Sequence, residues 1–341
     1  LGPNREDELK AHETIVADGI LSNVGPLDIC KRLIKRFTMN PNVKFFNWGY
    51  DWRLSGDILA RKLERKLENI YNATGEGTIV LCHSMGGLVT HGVVQRRPEL
   101  FRGIIYIGCP SECLNILGPI RFGDSVGFLD KILTAECNFM MRLSFMFLPL
   151  SGQVFIDKDT YKRYDLDLYN PDTWVEYNLN PLVACNRIEH NHAKGNGFLP
   201  LALQVQKSDS SFSLTDLILL NNISSRLKNL KKRAESLGSR GSSNPDDEEL
   251  DAEDFDYSIT FNQAYEYLGR ELKRTKEYIL GLGFKPELER KYPPMAIVYG
   301  NQVPLVRVSY VPGEDGIKDG DYYNFYYGRG DGVVHQKYLM P

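Results

Sequence analysis

The sequence predicts an α/β architecture built on a mostly parallel sheet with helices on both faces. Three observations predict it. Short apolar runs rich in β-branched residues recur at 78–81, 104–108 and 295–299, as buried strands do. Stretches of helical period separate the first runs, and a strand–helix–strand rhythm implies right-handed parallel crossovers. The turn after the first run carries Ser84, followed by Gly86-Gly87 and an amphipathic stretch to Arg97. Functional groups in such sheets gather at the carboxyl ends of the strands, which is where Ser84 falls.

In chain order, residues 1–20 are polar with little periodicity, and His12 reads as a surface residue. Leu27, Ile29, Cys30, Leu33, Ile34 and Phe37 have helical spacing, with Pro26 suited to a first helical position. Val43 to Asn47 reads as a short strand, and Ile58, Leu59, Leu63, Leu67 and Ile70 mark a helix over 57–72. Gly75-Glu-Gly77 ends it, and Pro98 ends the helix after Ser84. From 109 to 200 the rhythm is lost in aromatic and Met-rich stretches, expected to form an inserted cap lining a substrate pocket. The most apolar tract, Phe139 to Leu150, is too short to span a bilayer and carries Arg142, so it reads as a buried or interfacial segment.

A helix is expected over 214–230, then an acidic spacer at 238–256 too polar to fold. A further amphipathic helix follows over 261–282, stopped by Gly281 and Gly283. Strands return at 295–299 and 305–309, and the aromatic tract from Asp321 leads to Gly330-Asp331-Gly332, an acid in a tight turn. The expected organisation is a first part of the core over 1–120, the cap over 121–290 and a second part of the core over 291–341.

The 341 residues are 42% hydrophobic and 25% charged, with net charge −3 and a pI near 6.1, so nucleic acid is not an expected partner. Six cysteines show neither paired metal spacing nor disulfide density, which points to free thiols in a reducing compartment. The sequons at Asn72 and Asn222 matter only in a secreted protein. The expected location is intracellular, cytoplasmic or peripheral to membranes. His190-Asn-His192 has no third ligand nearby, so no metal or other cofactor is expected.

The chemistry centres on Cys82-His83-Ser84-Met85-Gly86. A sharp strand-to-helix turn would push the Ser84 hydroxyl clear of the sheet, and the helix N-terminus would face the anion formed on attack at a carbonyl. The usual pattern has glycine where Cys82 stands; that position must be small because the helix packs against it. A serine nucleophile needs a base and an orienting acid. Ser84 and Asp331 follow the order serine, acid, histidine of α/β-hydrolases.

Tyr50-Asp51-Trp52-Arg53-Leu54, His83-Ser84-Met85-Gly86-Gly87 and Gly330-Asp331-Gly332-Val333-Val334 occur in that order. Together they resemble the lecithin:cholesterol acyltransferase and phospholipid:diacylglycerol acyltransferase group of lipase-like α/β-hydrolases. Val298 to Pro304 resembles that group's Tyr-Gly-x-x-x-Pro loop more loosely. The resemblance implies an α/β-hydrolase fold with a large inserted cap, acting on lipid acyl esters by hydrolysis or acyl transfer. It implies Ser84 as nucleophile, Asp331 as triad acid and the Met85 N–H as one oxyanion donor. Tyr50, Asp51, Trp52 and Arg53 would border the pocket, with Asp51 and Arg53 paired, and His83 would line it. A lipid ester is the implied substrate, and a lipid surface or peripheral membrane the implied setting.

The departures are specific. The family's Pro-Trp-Gly-Gly is replaced by Cys109-Pro-Ser-Glu-Cys113, and no glycine-rich oxyanion loop precedes Val43. Only His335 follows Asp331, four residues on; that reach is at most about 14 Å, whereas acid and base normally come from separate loops. The sequence therefore reads as a fragment, truncated before the strand bearing the triad histidine, with His335 as the weaker candidate base. A catalytically impaired relative serving as a binding or regulatory module is the alternative.

Overall fold

The computed structural model describes residues 1–185, 187 and 257–340, apart from positions 18, 21, 25, 26, 127, 128 and 323. The expected helix at 214–230, the acidic spacer and the His190-Asn-His192 pair lie outside the described residues. The chain divides into one unit of Leu1–Asn186 with Ile259–Pro341 and another of Arg187–Ser258. The elements that follow belong to the first unit.

They run α1 (Arg5–Thr14), β1 (Asn23–Val24), β2 (Leu27–Asp28), α2 (Lys31–Thr38), α3 (Gly56–Thr74), β3 (Thr78–His83), α4 (Gly86–Val94) and β4 (Phe101–Ile107). Then come α5 (Leu117–Phe122), β5 (Asp124–Val126), β6 (Leu129–Leu133), α6 (Ala135–Met140), β7 (Phe155–Asp157), β8 (Arg163–Tyr164) and α7 (Pro171–Glu176). The remainder are α8 (Phe261–Leu280), β9 (Met295–Val298), β10 (Val303–Val311), α9 (Gly313–Asp319) and β11 (Asn324–Gly330).

The central sheet is parallel, in the order β3-β4-β9, with Leu81 opposite Ile105 and Ile105 opposite Ala296. Helix α4 is buried along its whole length because it lies between this sheet and α3. Ile58, Leu59, Leu63 and Leu67 form the buried stripe of α3 and join Leu88, Val89, Val93, Val94 and Tyr106 in one core. Each fully buried aliphatic side chain of this kind contributes roughly 1.5–3 kcal/mol.

A second sheet, in the order β11-β10-β7-β8, is mixed. β10 pairs antiparallel with β11 and parallel with β7. The strand expected at 305–309 is thus longer and belongs to this sheet, not to the one that carries the serine turn. Elsewhere in this unit Phe139, Phe145, Trp174 and Tyr267 pack edge-on and tilted against one another.

Three local expectations change. Residues 43–47 are not a strand. Phe45 stacks on Phe37 with ring centroids 6.0 Å apart, and the ammonium groups of Lys44 and Lys66 lie over Phe46. The apolar groups that suggested a strand are used locally. The helix expected from Leu27 starts at Lys31, because Asp28 Oδ1 accepts the Lys31 N–H at 2.9 Å and Leu27–Asp28 pairs with Asn23–Val24.

The polar N-terminus, third, contains helix α1, held by a charge. Glu8 is fully buried and accepts both the Ser55 N–H at 2.6 Å and the Ser55 hydroxyl at 2.5 Å. Arg274 on α8 donates to Glu8 at 3.1 Å, to Glu271 at 2.7 Å and to Asp57 at 2.6 Å. Arg142 lies between Glu8 and Glu271 at 3.7 and 3.6 Å and donates to the carbonyls of Gly2 and Arg53. Burial alone would raise the Glu8 carboxyl, but the Ser55 hydrogen bonds and the charges of Arg274 and Arg142 outweigh it and hold it below the usual range. The arginine inside the apolar tract is therefore a buried counter-ion that joins α1 and α8 to the loop before α3.

Candidate active site

Ser84 sits in the left-handed region, with φ of 51°. That conformation costs a non-glycine residue about 1 kcal/mol or more, so the surroundings must impose it. The Ser84 N–H donates to the Ile107 carbonyl at 3.0 Å, and the Gly87 N–H donates to the Ser84 carbonyl at 2.9 Å. These bonds fix the turn between the end of β3 and the first turn of α4.

The glycines follow from close approach. A Cβ on Gly87 would lie 2.5 Å from Cys109 Cβ and 2.6 Å from its sulfur. One on Gly86 would lie 3.6 Å from Tyr50 Oη and 3.9 Å from Cys82 Cβ. Cys82, two residues before Ser84, is small enough for this contact, which explains how it replaces the usual glycine. The Cys82 thiol is pushed up by its hydrogen bond with Cys109 and by burial, so it stays protonated. Met85 caps α4 and packs its side chain against the core, with its N–H at the positive end of the helix. His83 is exposed.

Asp331 follows β11. Its Oδ1 accepts the N–H groups of Val333 at 2.9 Å and Val334 at 2.7 Å. Its Oδ2 lies 3.3 Å from the Cβ position of Gly108, the residue after β4. Gly108 has φ of 53°, and its N–H donates to the Val298 carbonyl at the end of β9. Ser84 is bonded to the neighbouring residue, Ile107. Ser84 and Asp331 therefore occupy adjacent loops at the carboxyl end of the parallel sheet.

The segment 109–113 carries the Asp331 turn. The Ser111 N–H donates to the Tyr338 carbonyl at 2.7 Å, the Met340 N–H donates to the Cys109 carbonyl at 3.0 Å, and Cys113 Sγ meets the Val333 carbonyl at 3.6 Å. Burial and then the neighbouring Asp331 charge push the Cys113 thiol up to about 12. The spacing of Cys109 and Cys113 carries no signal of this role; it appears only when residues 331–340 fold back onto them.

His335 is placed differently. Its Nδ1 accepts the Lys337 N–H at 3.0 Å, and its Cδ2 lies 2.9 Å from the Cβ position of Gly328. Burial, then Arg307 and Lys337, lower its affinity for a proton. Ser84 and Asp331 thus stand on neighbouring loops, while the His335 nitrogen nearer the backbone serves as a cap.

Tyr50 to Arg53 lies against the same turn. Tyr50 is pushed up by burial and abuts Gly86. Arg53 grips Asp51 through both carboxylate oxygens, at 2.9 and 2.7 Å. Burial raises the Asp51 carboxyl, but the Arg53 hydrogen bonds more than compensate and hold it low. Trp52 is exposed. On the hidden side of α4, His91 shares Nδ1 with Tyr106 Oη at 2.7 Å and Nε2 with Gln95 Nε2 at 3.0 Å. The Gln95 amide also donates to the Leu282 carbonyl, so His91 Nε2 is the acceptor and Nδ1 carries the proton. Burial lowers its pKa to about 4.

Among the described residues no cluster of three or more His, Cys, Asp or Glu side chains is arranged to hold a metal, and no helix is long and apolar enough to cross a membrane.

The chain is 47% identical over its whole length to an uncharacterized protein of Saccharomyces cerevisiae, and it spans about half the length of that relative. The family model described as lecithin:cholesterol acyltransferase matches residues 28–239, which include Tyr50 to Arg53 and the Ser84 turn but not Asp331. With a strained serine between a parallel strand and a buried helix, the chain belongs to the lecithin:cholesterol acyltransferase family and has its α/β-hydrolase fold.

Proposed function

We propose that this protein is a serine hydrolase or O-acyltransferase of lipid acyl esters, working through an acyl-enzyme on Ser84. The observation that carries the reading is the Ser84 conformation, a φ of 51° held by two backbone hydrogen bonds at the start of α4. In this mechanism Ser84 Oγ attacks the ester carbonyl while a base takes its proton, and the Met85 N–H donates to the oxyanion. The proton then passes to the leaving alcohol, and water or a second alcohol resolves the acyl-enzyme. Asp331, with Oδ2 toward Gly108, is the acid that orients the base. Because His335 Nδ1 is engaged by Lys337, this reading takes the base from a histidine outside the described residues.

Residues 1–120 and 291–341 are assigned to the catalytic core and 121–290 to the cap. The protein is expected to work inside the cell, at a lipid surface or peripheral membrane, with Tyr50 to Arg53 and His83 bordering the pocket. A fluorophosphonate probe applied to the full-length protein tests the reading: labelling that Ser84→Ala abolishes is expected. No labelling, under conditions that label a control lipase, would overturn it. The engagement of His335 favours a second reading, a binding or regulatory module without turnover, and that null result would select it.

A further inference from the structure

An apolar cavity of 280 Å³, with no residue of the Ser84 turn in its lining, lies between α5 with the loop preceding it and the mixed sheet. Its walls include Leu117, Val154, Phe155, Val306 and Val308, with Ser309 as the one small polar side chain. Tyr322 also faces it, but its hydroxyl is already bonded to Arg121 at 2.8 Å, so the ring alone is presented. Leu117, Val154 and Phe155 are buried, whereas Phe122 and Phe325 are 56% and 36% exposed. The cavity thus has buried walls, aliphatic and aromatic, and two exposed aromatic rings at its edge. Leu114, beside the Cys113 that meets the Asp331 turn, also contributes to its wall.

Such a site offers an apolar chain burial without requiring hydrogen bonds, and it offers a charged or hydroxylated ligand almost nothing. An apolar cavity of about 150 Å³ holds one benzene. Scaled by volume, 280 Å³ takes about eleven carbons.

Gly118 is the one glycine in the cavity's lining. A Cβ built on it meets nothing within 4 Å. A larger side chain there would meet open space and not a neighbouring atom.

We propose that this cavity is a binding site for a single linear alkyl chain, with Gly118 setting the length it accepts. That the chain is the acyl group of the ester substrate rests on the function proposed above; the binding itself does not.

The test uses the full-length protein carrying Ser84→Ala, so that turnover plays no part. A fluorescent polyene fatty acid is the probe, displaced by saturated fatty acids of increasing length and by a single-chain ether lipid. Affinity should rise about fourfold per methylene and level off near eleven carbons. Gly118→Leu should bring the plateau to about seven carbons, since its side chain occupies the room of about four. Gly118→Ala, whose added atom fits without contact, should fold normally and weaken the eleven-carbon acid about fourfold. Displacement by the ether lipid alone would assign the cavity to an esterified chain. Absence of saturable probe binding would overturn the proposal, as would a chain-length profile unchanged in both Gly118 variants. Neither outcome depends on fluorophosphonate labelling of Ser84, so the two readings can fail separately.

Discussion

His91 should make the stability of this protein fall steeply in mild acid. Its Nε2 accepts from the Gln95 amide, its Nδ1–H donates to Tyr106, and burial lowers its pKa from the ordinary 6.5 to about 4. A proton added at Nε2 would face the Gln95 amide hydrogens in a buried site. The unfolded chain, by contrast, takes up that proton from pH 6.5 downward. Between pH 6.5 and about 4 the unfolded state therefore binds more protons than the folded one, so stability decreases as pH falls. The full difference is worth ~3 kcal/mol, of which about 2 kcal/mol is lost by pH 5. Above pH 6.5 the contribution is constant. Glu8 and Asp51 have lowered carboxyl pKa values and add their own losses at more acidic pH, so the measurement must be differential. Urea unfolding of wild type and His91→Gln at steps from pH 7.5 to 4.5 isolates the histidine, because glutamine can serve both neighbours without titrating. The variant should be less stable at pH 7.5, with a shallower slope below 6.5. Parallel curves across that window would refute the assignment of His91 as a buried neutral acceptor.

Three further outcomes follow from the packing. Gly87→Ala places a methyl 2.5 Å from Cys109 Cβ and should lower stability by about 1–3 kcal/mol in thermal unfolding, with partial recovery in Gly87→Ala combined with Cys109→Gly. Arg142→Met removes one of the two arginines that Glu8 and Glu271 share, Arg274 being the other, and should cost about 1–3 kcal/mol, whereas Arg102→Met, in an exposed pair with Glu76, should change stability by less than about 1 kcal/mol. Ser84→Gly relieves the positive φ and should raise stability by about 1 kcal/mol while abolishing probe labelling, the trade expected of a strained serine in the proposed nucleophile role.

The parts of this fold that could be read from the sequence are those where local pattern and tertiary role agree. The apolar run into Ser84, the stripe of α3 and the long helix α8 have periodicities that their packing uses directly. Val43 to Asn47 failed because an aromatic run says nothing about whether a strand partner exists; Phe45 found Phe37 instead. Helix α1 was invisible because the side chain it buries most completely is Glu8, which no apolar pattern detects. The ionic cluster joins positions 8, 55, 142, 271 and 274, so its logic exists only in three dimensions. At the candidate site, Ser84 and Asp331 were nominated by motif and chain order. The support beneath them could not be, because Cys109 and Cys113 look like ordinary thiols until residues 333–340 lie across them.

That last feature sets an order of events during synthesis. The Ser84 turn is pinned by Gly87 against Cys109, and the strand-end loop holding Cys109 is completed by a bridge from Leu339 to Pro110 and the bond from Met340. Ser111 and its partner Tyr338 are 227 residues apart. At the usual pace of roughly 5–20 residues per second, about 11 to 45 seconds separate the emergence of the loop from that of its closing strand. During that interval the nascent chain can form β3, α4 and β4 from nearby segments, while the edge of the loop remains unpaired. Amide protection at Ser111 should accordingly appear later than protection at Leu81 or Val93. The serine turn is made early from its neighbours in sequence, and its surroundings are finished last.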